Sequence, residues 1–346
     1  MIFQAEQVCR AAEAKRLGLS QLAALKKELP RALEPFTENG FGSKKAESLQ
    51  AVVYNMETGD RLDRITPYFL RHSILSGTDI ILANELDYGM ARSGNRNTTA
   101  DLAETLNMNY VYGVEFITLD AWKNGNANGM HGNAILSKFP LSRAKLVHLP
   151  VEYDWFYKEG DPRLGMRNAV LAEVELNGQR VGICSVHLEN RTAPAGWARQ
   201  LAYLLDEIDA HFQGIPVLIG GDMNTNSIDG NDERGYDPLR NNPAEQKRRM
   251  GIVPELEPLM GLAASRGYDY KSCNLMDKET RRKPFPGEID VAFNLDWFFT
   301  RGLKCEEPSV VESVFDHTQL RGGEAYAKYD GQLMSDHNAV VVRCRA

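Results

Sequence analysis

From residue 51 to the end of the chain, short runs of apolar and β-branched residues recur, and several stop at a carboxylate, an amide or an imidazole. The runs are AVVYNM, DIILANE, YVYGVEF, NAILSKF, AVLAEVEL, RVGICSVHL, PVLIGGDMN, LDWFFTR and NAVVVRC. Their length and composition suit buried strands. Helical patterns fall between some of them, at about 61–76, 98–107, 196–212 and 255–266. Strands interspersed with helices indicate an α/β layered protein. The runs AVLAEVEL and RVGICSVHL flank Asn177-Gly178, which reads as a hairpin turn. Hairpins argue against one doubly wound parallel sheet. They favour mixed sheets packed face to face with helices on the outside.

The bulk properties narrow the classes. The chain has 346 residues, 43% of them hydrophobic, enough for a sizeable core. A formal net charge of −7 does not indicate a general polyanion-binding surface. Five scattered cysteines, without a CxxC pair, support neither a disulfide framework nor a zinc site. No stretch reaches the length of a membrane span, and the N-terminus lacks a secretory apolar core, so a cytoplasmic location is the default expectation, with a mature secreted form left open. Residues 5–29 read as helical, with Pro30 as a stop. The expected division is an N-terminal helical appendage over 1–50 and one domain over 51–346. Segments 227–250 and 271–288 read as long polar loops, and 151–168 as an aromatic, charged insertion.

The polar residues at the strand ends carry the chemistry. AVVYNME ends in Asn55 and Glu57, and DIILANE in Glu85. RVGICSVHLEN carries His187, and PVLIGGDMN delivers Asp222 and Asn224 at the same-face spacing of two. FNLDWFF contains Asp296, and SDHNAVVV begins with Asp336 and His337. Each has an ordinary explanation alone: a turn, a cap or a half-buried histidine. Together they describe strands bringing side chains to a common rim. Hydrolysis of a phosphate ester needs this set. A hard cation takes oxygen ligands such as Glu85 and a carbonyl of Asn55. Asp222 suits the orientation of a water, and Asn224 with a histidine suits the developing charge. An aspartate holds an imidazole in one tautomer, which Asp296 and His337 would do. His187 would be a second imidazole, acting as acid or phosphate ligand.

The ordered pieces YNME, NE (84–85), GNAILSKFP, VHLEN, GGDMN, LDWFF and SDH resemble the endonuclease/exonuclease/phosphatase superfamily across residues 51–346. That group includes pancreatic-type deoxyribonucleases, AP endonucleases, neutral sphingomyelinases and inositol polyphosphate 5-phosphatases. The resemblance implies a four-layer α/β sandwich, Mg²⁺ dependence (with Mn²⁺ as a substitute) and in-line attack by water. It places Asn55, Glu85 and Asp336 at the metal. It gives His187, Asp222, Asn224, Asp296 and His337 to catalysis, and LGMRNAV suggests Arg167 as a phosphate contact. Many members carry Gln-Glu where this chain has Asn84-Glu85. Asp290 is a rival to Asp296, which is preferred for the aromatic strand that follows it.

The expected activity is metal-dependent hydrolysis of a phosphate ester, a phosphodiester before a monoester. A nuclease, a phospholipase C-like or sugar-phosphate enzyme, and a non-catalytic binding protein on the same fold are the alternatives. A phosphate-ester substrate is the expected partner. Nucleic acid stays open, membrane contact rests only on the aromatic stretch 151–157, and no protein partner is indicated. Lys247-Arg248-Arg249 and Arg281-Arg282-Lys283 read as solvated loop charge. Trp155, Phe156 and Tyr157 read as a substrate lip, a lipid-facing patch or a packed flap. His131 has a slight claim to the site.

Overall fold

The apolar runs pair into two large sheets in the computed structural model, which describes residues 33–118, 125–158 and 161–346. In spatial order the first contains β1 (Phe36–Glu38), β4 (Asn109–Thr118), β5 (Met130–Ser137), β3 (Ile80–Tyr88), β2 (Ser48–Thr58), β15 (Ala339–Arg345) and β14 (Lys304–Val311), with β7 (Arg163–Gly165) beside β4. The second contains β13 (Asp296–Arg301), β10 (Val217–Asp222), β9 (Gln179–His187), β8 (Asn168–Leu176) and β6 (Ser142–His148). A short antiparallel pair, β11 (Arg281–Lys283) and β12 (Val291–Phe293), stands apart. Both large sheets are mixed: β2 runs parallel to β3, and β9 to β10.

Period-two alternation builds four layers from these strands. Ala51 and Val53 of β2 and Leu82 of β3 face inward, where they meet Ile183, Leu218 and Phe298 of the second sheet. Val52, Tyr54 and Met56 face outward, against Leu62, Ile65 and Phe69 of the helix Leu62–Arg71 and Leu102 of the helix Thr98–Leu106. On the other side, Val186, Val217 and Ile219 meet Trp197, Leu201 and Leu259 from the helices Pro194–His211 and Pro258–Ser265. Each such side chain contributes roughly 1.5–3 kcal/mol by leaving water. The expected four-layer sandwich of two mixed sheets with outer helices is the architecture observed.

Gly220 and Gly221 mark where the layers come closest. A methyl on Gly220 would lie 2.5 Å from Val53 Cγ2 and 2.7 Å from Leu82 Cδ1, so its absence lets the sheets close on each other. Gly221 has φ +153°, and a methyl there would fall 1.7 Å from the Val186 carbonyl oxygen. The hairpin at Asn177-Gly178 forms as expected, with both residues at positive φ.

Two expectations change. The boundary at residue 50 moves toward the N-terminus, because β1 pairs with β4, β2 begins at Ser48, and Leu33 and Leu49 are buried in the core. The helices expected over 5–29 lie outside the described residues. The supposed loop 227–250 contains a helix, Pro243–Gly251, capped by the Asn242 side chain and anchored by buried Gln246 and Met250. Trp155 is a packed residue: it is buried, its Nε1–H donates to Glu189 at 2.8 Å, and Arg163 lies over its ring. Cys184, Cys273, Cys305 and Cys344 are buried free thiols, as structural cysteines should be.

Candidate active site

Strand register gathers the site at one rim of the sandwich. His187 of β9 is the register partner of Asp222 of β10, and Asp222 is the partner of Asp296 of β13. β13 is antiparallel to β10, so the start of one reaches the end of the other. In the first sheet Asn55 of β2 is the partner of Asn84 of β3. β15 is antiparallel to β2, which brings the residues before it, Ser335, Asp336 and His337, to the same rim. Because these three precede the strand, Asp336 and His337 are free of strict alternation. Ser335 Oγ donates to the Asn55 carbonyl at 2.7 Å and accepts from the His337 N–H at 3.1 Å, fixing the turn.

A buried amide chain joins the sheets beneath this rim. Asn84 Nδ2 donates to Asn133 Oδ1 at 3.0 Å and to the Val186 carbonyl at 3.1 Å, while its Oδ1 accepts the Asp222 N–H at 2.9 Å. Asn133 continues to Asn168 at 2.9 Å. Satisfied buried networks of this kind fix relative position more than they add net stability. The backbone is strained where it presents the acids. Glu57, Glu85 and Asn224 have φ of 43°, 58° and 52°, and the ladder shifts register at Asn55/Thr58 and Ala83/Leu86. Such conformations cost roughly 1–3 kcal/mol each for residues other than glycine.

The cleft at the rim holds about 260 Å³ and is lined by Glu57, Glu85, His187, Asp222, Asn224, Asp336 and His337, among others. Asp222 is its centre. Oδ2 lies 3.2 Å from Asn55 Nδ2, 3.6 Å from His187 Nε2 and 3.7 Å from His337 Nε2, and Oδ1 accepts the Asn224 N–H at 2.9 Å. His337 Nδ1 is 2.8 Å from Asp296 Oδ2. Burial opposes a charge on His337, but Asp296, Asp336 and Asp222 outweigh it and push its pKa up to about 10. Asp290, the rival, is exposed.

Glu85 keeps 31% of its side chain exposed in the cleft. Burial acts to raise its pKa, yet the imidazoles of His187 and His131 and the Asn55 amide hold it well below the usual carboxylate range. His187 is pulled down by burial and by Arg167, and Glu115 and Asp222 overcome both to leave it raised. Asp222, Asp296 and His337 offer ligand atoms within 4.8 Å of one another. The Asp296–His337 hydrogen bond, however, uses the groups on each other. Glu85 and Asp336 present oxygens to the same cleft, the donor type a hard divalent cation takes, and Glu57 lines it while paired with Arg61 and accepting the Asp336 N–H at 3.1 Å. Among the described residues, no Lys or Arg lies within 4 Å of the Glu85 carboxylate, so its charge is open to a cation.

Two predicted contacts differ in detail. Asn55 turns its Oδ1 to the Glu57 N–H at 3.1 Å and its Nδ2 to Glu85 and Asp222, so it spaces the two acids. Arg167 is buried behind the cleft and does not reach it. Its guanidinium lies 2.8 Å from Glu115 and 3.4 Å from Glu189, and 3.0 Å from His187 Nδ1. Arg167 therefore positions His187, and the correction is physical: two buried carboxylates distant in sequence claim its charge. Asn224 stays at the cleft wall, with Nδ2 donating to the Leu188 carbonyl at 2.9 Å. Asp336 accepts from Arg281 at 2.9 Å.

Arg281 and Lys283, expected as solvated charge, both line the cleft with Arg191. The signal is the strand period: in β11 residues 281 and 283 share a side, and Arg282 points the other way, toward Glu279. It becomes readable only once residues 281–283 are known to be a strand.

Facing mixed sheets that bring carboxylates and imidazoles to one rim define the frame of a metal-dependent phosphoesterase. The chain belongs to the endonuclease/exonuclease/phosphatase family, whose model matches residues 52–337. Two solved structures share the fold. An endonuclease/exonuclease/phosphatase from Beutenbergia cavernae DSM 12333 is 16% identical, with a TM-score of 0.54, over 86% of this chain and 72% of that one. A family protein from Leptotrichia buccalis C-1013-b is 13% identical, with a TM-score of 0.51, over 86% of this chain and 100% of that one. No curated protein matches the chain by sequence.

Proposed function

We propose that the protein hydrolyses a phosphodiester with Mg²⁺ as its cofactor. The observation that carries this reading is the convergence of His187 and His337 on Asp222 Oδ2, at 3.6 Å and 3.7 Å, beside the open carboxylate of Glu85. Glu85, with Asp336 and Glu57 close by, would hold the cation, which supplies charge neutralisation at the phosphoryl and leaving oxygens. Asp222 orients the attacking water and accepts its proton. Asn55 keeps Asp222 and Glu85 apart and aligned. Asp296 fixes the tautomer and ring plane of His337, whose Nε2 points into the cleft.

Arg281 Nε donates to His337 Nε2 at 3.1 Å. Once the imidazole is charged, that contact would give way to a phosphoryl oxygen, to which both N–H groups can donate. A second groove of about 290 Å³ adjoins the cleft and shares Glu57 and Asp336 with it. That adjoining space favours a diester, which carries two substituents. Among lipid readings, the aromatic stretch gives little support, since Trp155 is packed and only Val151 and Tyr157 are strongly exposed. Among the described residues no helix is long and apolar enough to cross a membrane.

The test compares bis(p-nitrophenyl) phosphate, p-nitrophenyl phosphate, single- and double-stranded DNA, RNA and sphingomyelin, each with Mg²⁺, Mn²⁺ or EDTA. Faster turnover of the diester chromogen than the monoester, abolished by EDTA, is expected. A monoester preference would overturn the diester assignment, and metal-independent turnover would overturn the cofactor.

A further inference from the structure

The cleft is lined by charges of both signs: Glu57, Glu85, Asp222 and Asp336, and the cations Arg191, Arg281 and Lys283. Arg281 is partly neutralised by Asp336 at 2.9 Å. The Lys283 ammonium and the Arg191 guanidinium are not: among the described residues no carboxylate oxygen lies within 4 Å of either charged group, and Glu189 Oε1 accepts only the Arg191 backbone N–H, at 3.0 Å. Glu233 also lines the cleft but stays beyond that distance. Lys283 Nζ instead sits 3.8 Å from the centre of the Tyr236 ring, and Arg191 lies 5.1 Å from that of Tyr153. Burial and the two guanidiniums push the Lys283 ammonium down, and Glu233 offsets this only in part. Placing cations together without a counter-charge is unfavourable unless an anion joins them.

The segment that carries Arg281 and Lys283 is also built rigidly. Thr280 Oγ1 accepts the backbone N–H groups of Leu295 and Asp296 at 2.9 Å and 3.0 Å. The Arg282 N–H donates to the Asp336 carbonyl, and the Asn338 N–H to that of Thr280. β11 is thus stitched to the segments that deliver Asp296 and His337. Lys283 is held by the same framework as the reacting groups, as a substrate-positioning cation should be.

We infer, resting on the phosphoesterase reading above, that Lys283 and Arg191 form a subsite for a second phosphate carried by a small substrate beside the scissile one. The small polar cleft and the net charge of −7 favour a compact doubly phosphorylated molecule over a nucleic-acid strand. Arg281 lies between the two positions: its Nε faces His337 and the scissile phosphate, and β11 continues from it to Lys283.

The test uses two p-nitrophenyl alkyl phosphodiesters that differ only at the end of a short flexible spacer, one bearing a phosphate and the other a hydroxyl. A tetrathymidylate with the same p-nitrophenyl group is the third probe. The wild-type protein should favour the two-phosphate probe in kcat/KM by roughly 10- to 100-fold, chiefly through KM, which is the scale of one or two charge-assisted hydrogen bonds. Lys283→Met, which keeps the stem on Tyr236, and Arg191→Gln should together bring that ratio to within about two-fold of one. Turnover of the hydroxyl probe without a preference for the phosphate probe overturns the subsite alone. So does a preference that survives in the double variant. A higher kcat/KM on the tetrathymidylate assigns the second anion to a strand and overturns the small-molecule source. Turnover of none of the probes overturns the phosphoesterase reading together with the subsite.

Discussion

Between the sheets, β2, β3, β9 and β10 alternate regularly and bury apolar side chains; at their carboxyl-terminal rim β2 and β3 bulge and take positive φ, and β9 and β10 deliver the buried His187 and Asp222. Ala51, Val53, Leu82 and Leu218 belong to the first region, and Glu57, Glu85, Asp222 and Asn224, a few residues further along, to the second. The interior sets the distance between sheets, while the rim uses that distance to hold like charges close together. Local violations of folding rules therefore concentrate where the chemistry is, and the regular interior keeps them in place.

The two regions should respond differently to substitution. Gly221→Ala strikes where they meet, and with a methyl driven into the Val186 carbonyl it should cost more than about 4 kcal/mol or yield no folded protein. Circular dichroism and a urea melt would show this; a normal transition would mean that the close approach of β9 and β10 is adjustable. At the rim, His337→Ala should lower kcat at least ~100-fold and Asp296→Asn by a similar factor, with urea midpoints near wild type. Retained turnover in either variant would remove the imidazole from the mechanism.

Asn84→Ala tests the link between regions. It deletes three hydrogen bonds that tie Asp222, Asn133 and Val186, and should cost roughly 2–4 kcal/mol while also slowing turnover. A stability loss with full activity would separate the amide chain from the placement of Asp222.

The smallest effect depends on pH. Glu257 accepts the Ser227 N–H at 2.7 Å, and its other oxygen is buried without a hydrogen-bond partner. Burial pushes its carboxyl up to about 8. The folded pKa exceeds the unfolded one, so the folded protein binds the extra proton between about pH 4.5 and 8, and stability falls across that window as pH rises. Glu257→Gln should flatten this slope and raise stability by about 1–3 kcal/mol above pH 8, with little change near pH 4. Equal urea midpoints for both proteins at both extremes would show that the group titrates normally.

Much of the rim was legible because its signal is local. Asp222 and Asn224 share a face by spacing, Glu85 ends an apolar run, and the aromatic strand after Asp296 separated it from Asp290. The layered architecture followed from strand composition and the Asn177-Gly178 turn. What sequence missed depends on partners far away in the chain. Arg167 looked available because Glu115 and Glu189 lie in other strands and loops. Three consecutive cations looked solvated until β11 sorted Arg281 and Lys283 from Arg282. Residues 33–50 looked separate because β1 is only three residues long, too short for periodicity to show.

The most direct measurement is diester hydrolysis after metal removal. Wild-type protein and Glu85→Gln would be stripped with EDTA, dialysed and titrated with Mg²⁺ using bis(p-nitrophenyl) phosphate. Wild type should lose turnover and regain it as Mg²⁺ is restored, whereas Glu85→Gln should stay at least ~100-fold slower at equal Mg²⁺. Equal recovery by the two proteins, or undiminished turnover in EDTA, would contradict a metal-assisted site built around Glu85.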